Sequence, residues 1–184
     1  RVSKDYGRIV NDLHFERLTH LLDHQESRIV HGGEGDRTQR YLAPTMVVDP
    51  DLMSPLMQDE IFGPILPIVP VDDVSAAITL VNTGPKPLVV HAFTNVRATA
   101  DRIETETSSG AFVVNDAIVN HRIAGLPFGG VGDSGMGAYH GRAGFETFTH
   151  RKAVLRRPTW FDQSLRYPPF TPARLKRLRR LIGA

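Results

Sequence analysis

Asp59-Glu60-Ile61-Phe62-Gly63-Pro64 sets a carboxylate and an aromatic ring two residues apart, just before a Gly-Pro turn. A carboxylate accepts several hydrogen bonds at once, so Glu60 suits the paired hydroxyls of a ribose; the same string also reads as a plain strand entry. Gly130-Val131-Gly132-Asp133-Ser134-Gly135 has the glycine spacing of a dinucleotide loop. Such a loop must follow a strand and open a helix. Pro127 spoils the strand before it, and Gly137, Gly141 and Gly144 spoil a helix after it. The segment therefore reads as a tight, buried loop in which glycine lets backbones approach closely. Asn115-Asp116 ends a hydrophobic run and suits either an Asx turn or the polar edge of a pocket. His20 and His24 have the i, i+4 spacing of a metal pair, but no third ligand accompanies them, and they read as solvated. Ser108 and Ser109 lie near Glu106, but a turn at Gly110 explains them better than a nucleophile and its base. Cysteine is absent from all 184 residues, which excludes a disulfide framework, a thiolate metal site and a thiol nucleophile in this chain.

The elements that must position these groups alternate. A helix is predicted over residues 10–25, capped by Asn11 or Asp12, with Phe15, Leu18 and Leu22 on its inward face. A short strand at 28–31 leads into a polar, Gly-rich loop at 32–40, and a second strand covers 44–48. Residues 64–71 alternate apolar side chains with prolines, which predicts a poorly hydrogen-bonded edge strand. Asp72 or Asp73 should cap a helix at 74–82, a strand should follow at 88–93, and Asn95 should cap a helix running to about Glu106. Ala111 to Val114 reads as another strand. Strands and helices alternating at this spacing argue for an α/β fold with a partly parallel sheet. Residues 117–144 hold too many glycines for regular structure, and 145–157 alternate again as a strand with Phe148, His150, Ala153 and Leu155. Thr171 and Pro172 open a final helix over 171–182, in which Leu175, Leu178 and Ile182 fall at i, i+3, i+7 among five basic residues.

At 41% hydrophobic and 23% charged residues, the composition is that of an ordinary globular domain, and no apolar run is long enough to span a bilayer. The charge is divided unevenly. Residues 1–150 carry 12 Lys and Arg against 19 Asp and Glu, a net −7, while residues 151–184 carry ten against one, a net +9. The chain opens on Arg1 with no signal-type apolar core, which predicts a cytoplasmic protein or a piece of one. The basic tail adds weak contact with a membrane surface, or docking on the acidic body of the same chain.

Met57 to Ile68, around Glu60-Ile61-Phe62-Gly63-Pro64, and Leu126 to Gly141, around Pro127-Phe128-Gly129-Gly130, together resemble the C-terminal half of an aldehyde dehydrogenase. The closest likeness is to the class 3 (fatty or aromatic aldehyde) branch, and it extends over roughly residues 3–157. The resemblance implies a partial three-layer α/β catalytic domain over residues 1–144, an oligomerisation strand over 145–157, and a linker with a basic tail helix over 158–184. It implies NAD- or NADP-dependent oxidation of an aldehyde to a carboxylic acid through a cysteine thiolate, with a glutamate activating water. Both of those groups would lie upstream of Arg1, so the 184-residue chain alone is expected to be inactive. Glu60 and Phe62 would meet the nicotinamide end of the cofactor, Phe128 would line the aldehyde tunnel, and Asn115 would border the substrate region. His140 and His150 read as structural. The implied partners are the aldehyde, in the complete enzyme, and a second copy in a homodimer, with no nucleic acid. The rival reading is a catalytically dead remnant that only folds and associates.

Overall fold

A computed structural model describes residues 2–162 and 164–183. Helix α1 (Asp12–Leu21) begins where Asn11, in extended backbone, accepts a hydrogen bond from His14 N at 2.8 Å. It buries Phe15, Leu18 and Leu21 against Leu42, Val47, Leu56 and Ile65, and this cluster is the core of the molecule. The helix ends earlier than its sequence pattern predicts. Leu22 N and Asp23 N turn back onto Thr19 O and His20 O, and His24 takes a left-handed φ of 64°. His24 is thereby outside the helix, His20 pairs with Asp23 at 2.6 Å instead, and no metal-holding cluster exists among the described residues.

Strands β1 (Ile29–His31), β4 (Thr45–Val48) and β5 (Ile65–Ile68) make a sheet in the order β1-β4-β5. β1 is antiparallel to β4, and β4 is parallel to β5, so the proline-bearing β5 occupies an edge as its sequence predicts. The polar stretch after β1 is not wholly loop: β2 (Gly35–Asp36) pairs with β3 (Tyr41–Leu42) as a short hairpin. The one-turn helix α2 (Pro55–Gln58) lies between β4 and β5.

Helix α3 (Val74–Thr83) is capped by Asp73, whose carboxylate accepts from Ala76 N at 2.8 Å. Strands β6 (Val89–Ala92) and β7 (Ala111–Val114) pair in parallel through helix α4 (Arg97–Glu106). Val96, not Asn95, is the N-cap of α4, and it makes no side-chain cap bond. The resulting mixed α/β architecture matches the expected class.

Two expectations fail beyond β7. Gly141–Thr147 forms helix α5, although Gly141 and Gly144 argue against one. An Arg142–Glu146 ion pair at 2.7 Å and the Thr147 hydroxyl, bonded to Ala138 O and Ala143 O, hold that turn closed. The predicted strand over 145–157 therefore loses its first three residues to a helix. Residues 148–157 form no ladder among the described residues. The tail folds as predicted into helix α6 (Pro172–Ile182), capped by Thr171, whose hydroxyl accepts from Arg174 N. The side chain of Ile182 lies outside the described residues.

Candidate cofactor and substrate site

The path from α2 into β5 is fixed residue by residue. Ile61 packs on the core, Phe62 adopts a left-handed φ of 46°, and Gly63 crosses directly over Leu18. A Cβ at Gly63 would lie 2.4 Å from Leu18 Cδ2, so any side chain there would force the fully buried leucine to shift. Pro64 O then accepts from Thr45 N at 2.8 Å and starts the parallel register of β4 and β5.

Helix α1 holds this same segment from its polar flank. Arg17 Nη1 donates to Glu60 O at 3.1 Å, and Nη2 donates to Ile61 O. Arg17 Nε donates to His14 Nδ1 at 3.3 Å, which selects the imidazole tautomer with its proton on Nε2. That nitrogen lies 2.9 Å from Phe62 O and donates to it. Three successive carbonyls are thus tied down, while the Glu60 carboxylate is exposed and has no partner among the described residues. The Phe62 ring, 78% exposed, stands edge-on to the His14 ring at 6.4 Å. Val10, Leu13, His14, Arg17 and Phe62 line a shallow, mainly apolar hollow beside it. A free carboxylate on a fixed backbone, two residues from an open aromatic face, is an arrangement that can receive a nucleoside. Sequence reading missed His14 and Arg17. Their signal was position: at i and i+3 on α1, they flank the buried stripe of Phe15 and Leu18.

Phe128 lies elsewhere in the fold. It bridges to Tyr139 by two backbone hydrogen bonds of 3.0 and 2.9 Å, and the two rings meet edge-to-face at 5.5 Å. His121 and His140 flank Phe128 at 6.3 and 6.4 Å. The glycines around it make this compactness possible. A Cβ at Gly129 would sit 2.1 Å from Gly137 O, one at Gly130 would sit 2.1 Å from Ser134 O, and one at Gly110 would sit 2.1 Å from Gly129 O. The G-x-G-x-x-G string is thus a layered crossing of backbones that docks on the entry to β7, but it is not the buried loop expected: Val131, Gly132 and Asp133 are exposed and only Gly130, Ser134 and Gly135 are half-buried. Ser109 Oγ donates to Ala111 O at 2.7 Å, which makes it a turn residue of that entry.

Asn115 sits at the exit of β7 with a left-handed φ of 56°. Its amide is used twice on Thr94: Oδ1 accepts from Thr94 N at 2.8 Å, and Nδ2 donates to Thr94 O at 2.9 Å. It locks the ends of β6 and β7 together. Asn120 Nδ2, in the 3-10 turn (Val119–Arg122) that also carries His121, is buried without a hydrogen-bond partner among the described residues. No hydrogen bond, ion pair or ring contact joins Glu60 or Phe62 to Phe128 or Asn115 among the described residues.

Residues 2–154 match the aldehyde dehydrogenase family, and the chain belongs to it. The class 3 likeness holds as well. The rat dimeric NADP-preferring aldehyde dehydrogenase is 48% identical over 177 residues, 95% of this chain and 38% of the relative. Human aldehyde dehydrogenase family 3 member B1 is 48% identical over 96% of the chain and 38% of its own length. Arabidopsis thaliana family 3 member H1 is 45% identical over 99% of the chain and 38% of its own length. Among solved structures, a substrate-bound Staphylococcus aureus AldH superposes with a TM-score of 0.80 at 40% identity, covering 98% of this chain and 39% of that one. The chain therefore spans less than two-fifths of the length of each of these four relatives.

Proposed function

We propose that these residues serve the NAD(P)-dependent oxidation of an aldehyde to a carboxylic acid, with Glu60 and Phe62 at the nicotinamide-side ribose and Phe128 and Asn115 at the aldehyde pocket. The carrying observation is the fixed Glu60–Phe62 backbone with its unpartnered carboxylate. Arg17 and His14 hold the carbonyls, so the carboxylate meets two ribose hydroxyls without first ordering its own chain. Phe62 offers a flat apolar face to the adjoining ring. Phe128, braced by Tyr139 and the two histidines, excludes water from the pocket, and Asn115 sets the loop at its edge. The bound nicotinamide supplies the hydride acceptor. The thiolate that attacks the carbonyl, and the glutamate that activates water, come from a segment that these cysteine-free residues do not contain. The rat relative is named dimeric and NADP-preferring, which favours NADP alongside NAD and a homodimer; residues 148–157 are the segment that would join the two copies.

The test is Glu60→Gln in an enzyme that carries this segment and the thiolate. Loss of a charge-assisted hydrogen bond worth about 1.5–3 kcal/mol slows hydride transfer roughly 10- to 150-fold, while thiolate addition to the aldehyde is spared. Wild-type hydride transfer in single-turnover measurements would remove Glu60 from the ribose.

A further inference from the structure

The notable surface outside the site is the tail. Viewed down α6, Leu175, Leu178 and Leu181 share a stripe roughly a third of the way round the helix, and Lys176, Arg177, Arg179 and Arg180 occupy the rest. Arg174 is the one basic residue on the leucine side, and it is turned away. Its Nη1 reaches back to the linker carbonyls of Tyr167 and Pro169, at 3.5 and 3.2 Å. The stripe is largely uncovered: Leu175 is 41% and Leu181 65% exposed, and Leu178 between them is half-buried.

The body of the chain is acidic and would be the natural electrostatic partner, yet it is not used. Among the described residues, none of Lys176, Arg177, Arg179 and Arg180 has a carboxylate within ion-pair distance. The single acid of residues 151–184, Asp162, is engaged within the linker. It pairs with Arg157 at 3.4 Å and Arg166 at 3.8 Å, and accepts from the Tyr167 hydroxyl at 2.6 Å, a bond that holds that hydroxyl above its usual pKa. This knot presents the linker's aromatic rings, Trp160, Phe161, Tyr167 and Phe170, to solvent on the approach to α6. Aromatic side chains with a polar end, a leucine stripe and a basic opposite face are the ingredients of a helix that lies in a lipid headgroup layer.

We propose that residues 158–183 form a peripheral docking element for an anionic lipid surface. α6 lies in the interface with its leucines down, and Trp160 and its aromatic neighbours anchor beside it. A nucleic acid would satisfy the charge and could stack on the aromatic rings, but it leaves the leucine stripe without a role.

The full chain supplies its own probe, because Trp160 is its one tryptophan. Vesicles of phosphatidylglycerol and phosphatidylcholine at low salt should co-sediment the chain and shift Trp160 emission to the blue; pure phosphatidylcholine should do neither. Leu175→Ser with Leu181→Ser keeps the charge and lies outside the core, and it should abolish the blue shift. Arg179→Gln with Arg180→Gln should weaken partitioning roughly thirty-fold. Equal binding by the parent and both double variants, or equal binding to both vesicle types, would overturn the proposal by tracing the attachment to the body. So would tight binding to duplex DNA that the leucine variant retains.

Discussion

At the residue scale, the Glu60 segment shows how backbone constraint precedes chemistry. His14 and Arg17 contact main-chain oxygens, so their influence on Glu60 runs through the path of the chain rather than through charge on the carboxylate. Gly63 completes that path because a side chain there would push Leu18 out of its place in the core. Gly63→Ala should therefore destabilise the chain by about 1–3 kcal/mol, the usual cost of overpacking a filled core. A urea midpoint unchanged from the parent, at equal slope, would mean that Leu18 yields and that the glycine is not required. Asn115 teaches the opposite lesson. Its exposed position at a strand exit suggests availability, but both ends of its amide are spent on Thr94.

At the element scale, the helices differ in how they begin. α1 and α3 have side-chain caps from Asn11 and Asp73, whereas α4 begins at Val96 with none. Val96 is exposed and already has the extended backbone of a cap residue. Val96→Asp should supply the missing acceptor and place a negative charge at the positive end of the helix, raising stability by roughly 0.5–1 kcal/mol. Thermal unfolding of the two proteins side by side measures it, and a melting temperature at or below the parent's would show that the α4 terminus is not limiting. The stretch 145–157 illustrates what alternation can and cannot say. Period two marks residues able to pair, but pairing needs a second strand, and within one chain α5 claims the first three positions instead.

At the scale of the whole molecule, a small core is set against much uncovered apolar surface. Phe148 and Leu155 are 86% and 85% exposed on the unpaired segment, with Phe145 and Met136 uncovered close by in sequence. Surface of this kind seeks a partner. The chain should accordingly be larger than a monomer by light scattering at tens of micromolar, and Phe148→Lys with Leu155→Lys should shift it toward monomer. A parent already monodisperse at the monomer mass would refute the oligomerising role of this segment. No helix among the described residues is long and apolar enough to cross a membrane.

The sequence by itself determined the α/β class, the cap at Thr171, the edge position of β5, and the family through Glu60–Pro64 and Leu126–Gly141, and it narrowed the caps of α1 and α3 to Asn11 or Asp12 and to Asp72 or Asp73. Each of these rests on local stereochemistry or on a contiguous string, which neighbours in sequence suffice to specify. Tertiary structure alone decided that Arg17 and His14 hold Glu60–Phe62 from 43 to 48 residues away, and that Gly110, Gly129 and Gly137 stack as layers. It alone showed Asn115 committed to Thr94 and, among the described residues, the basic face of α6 unpaired with the acidic body. These are contacts between segments remote in sequence. Periodicity reports which face of an element is apolar, but not which carbonyl, ring or carboxylate another element brings to meet it.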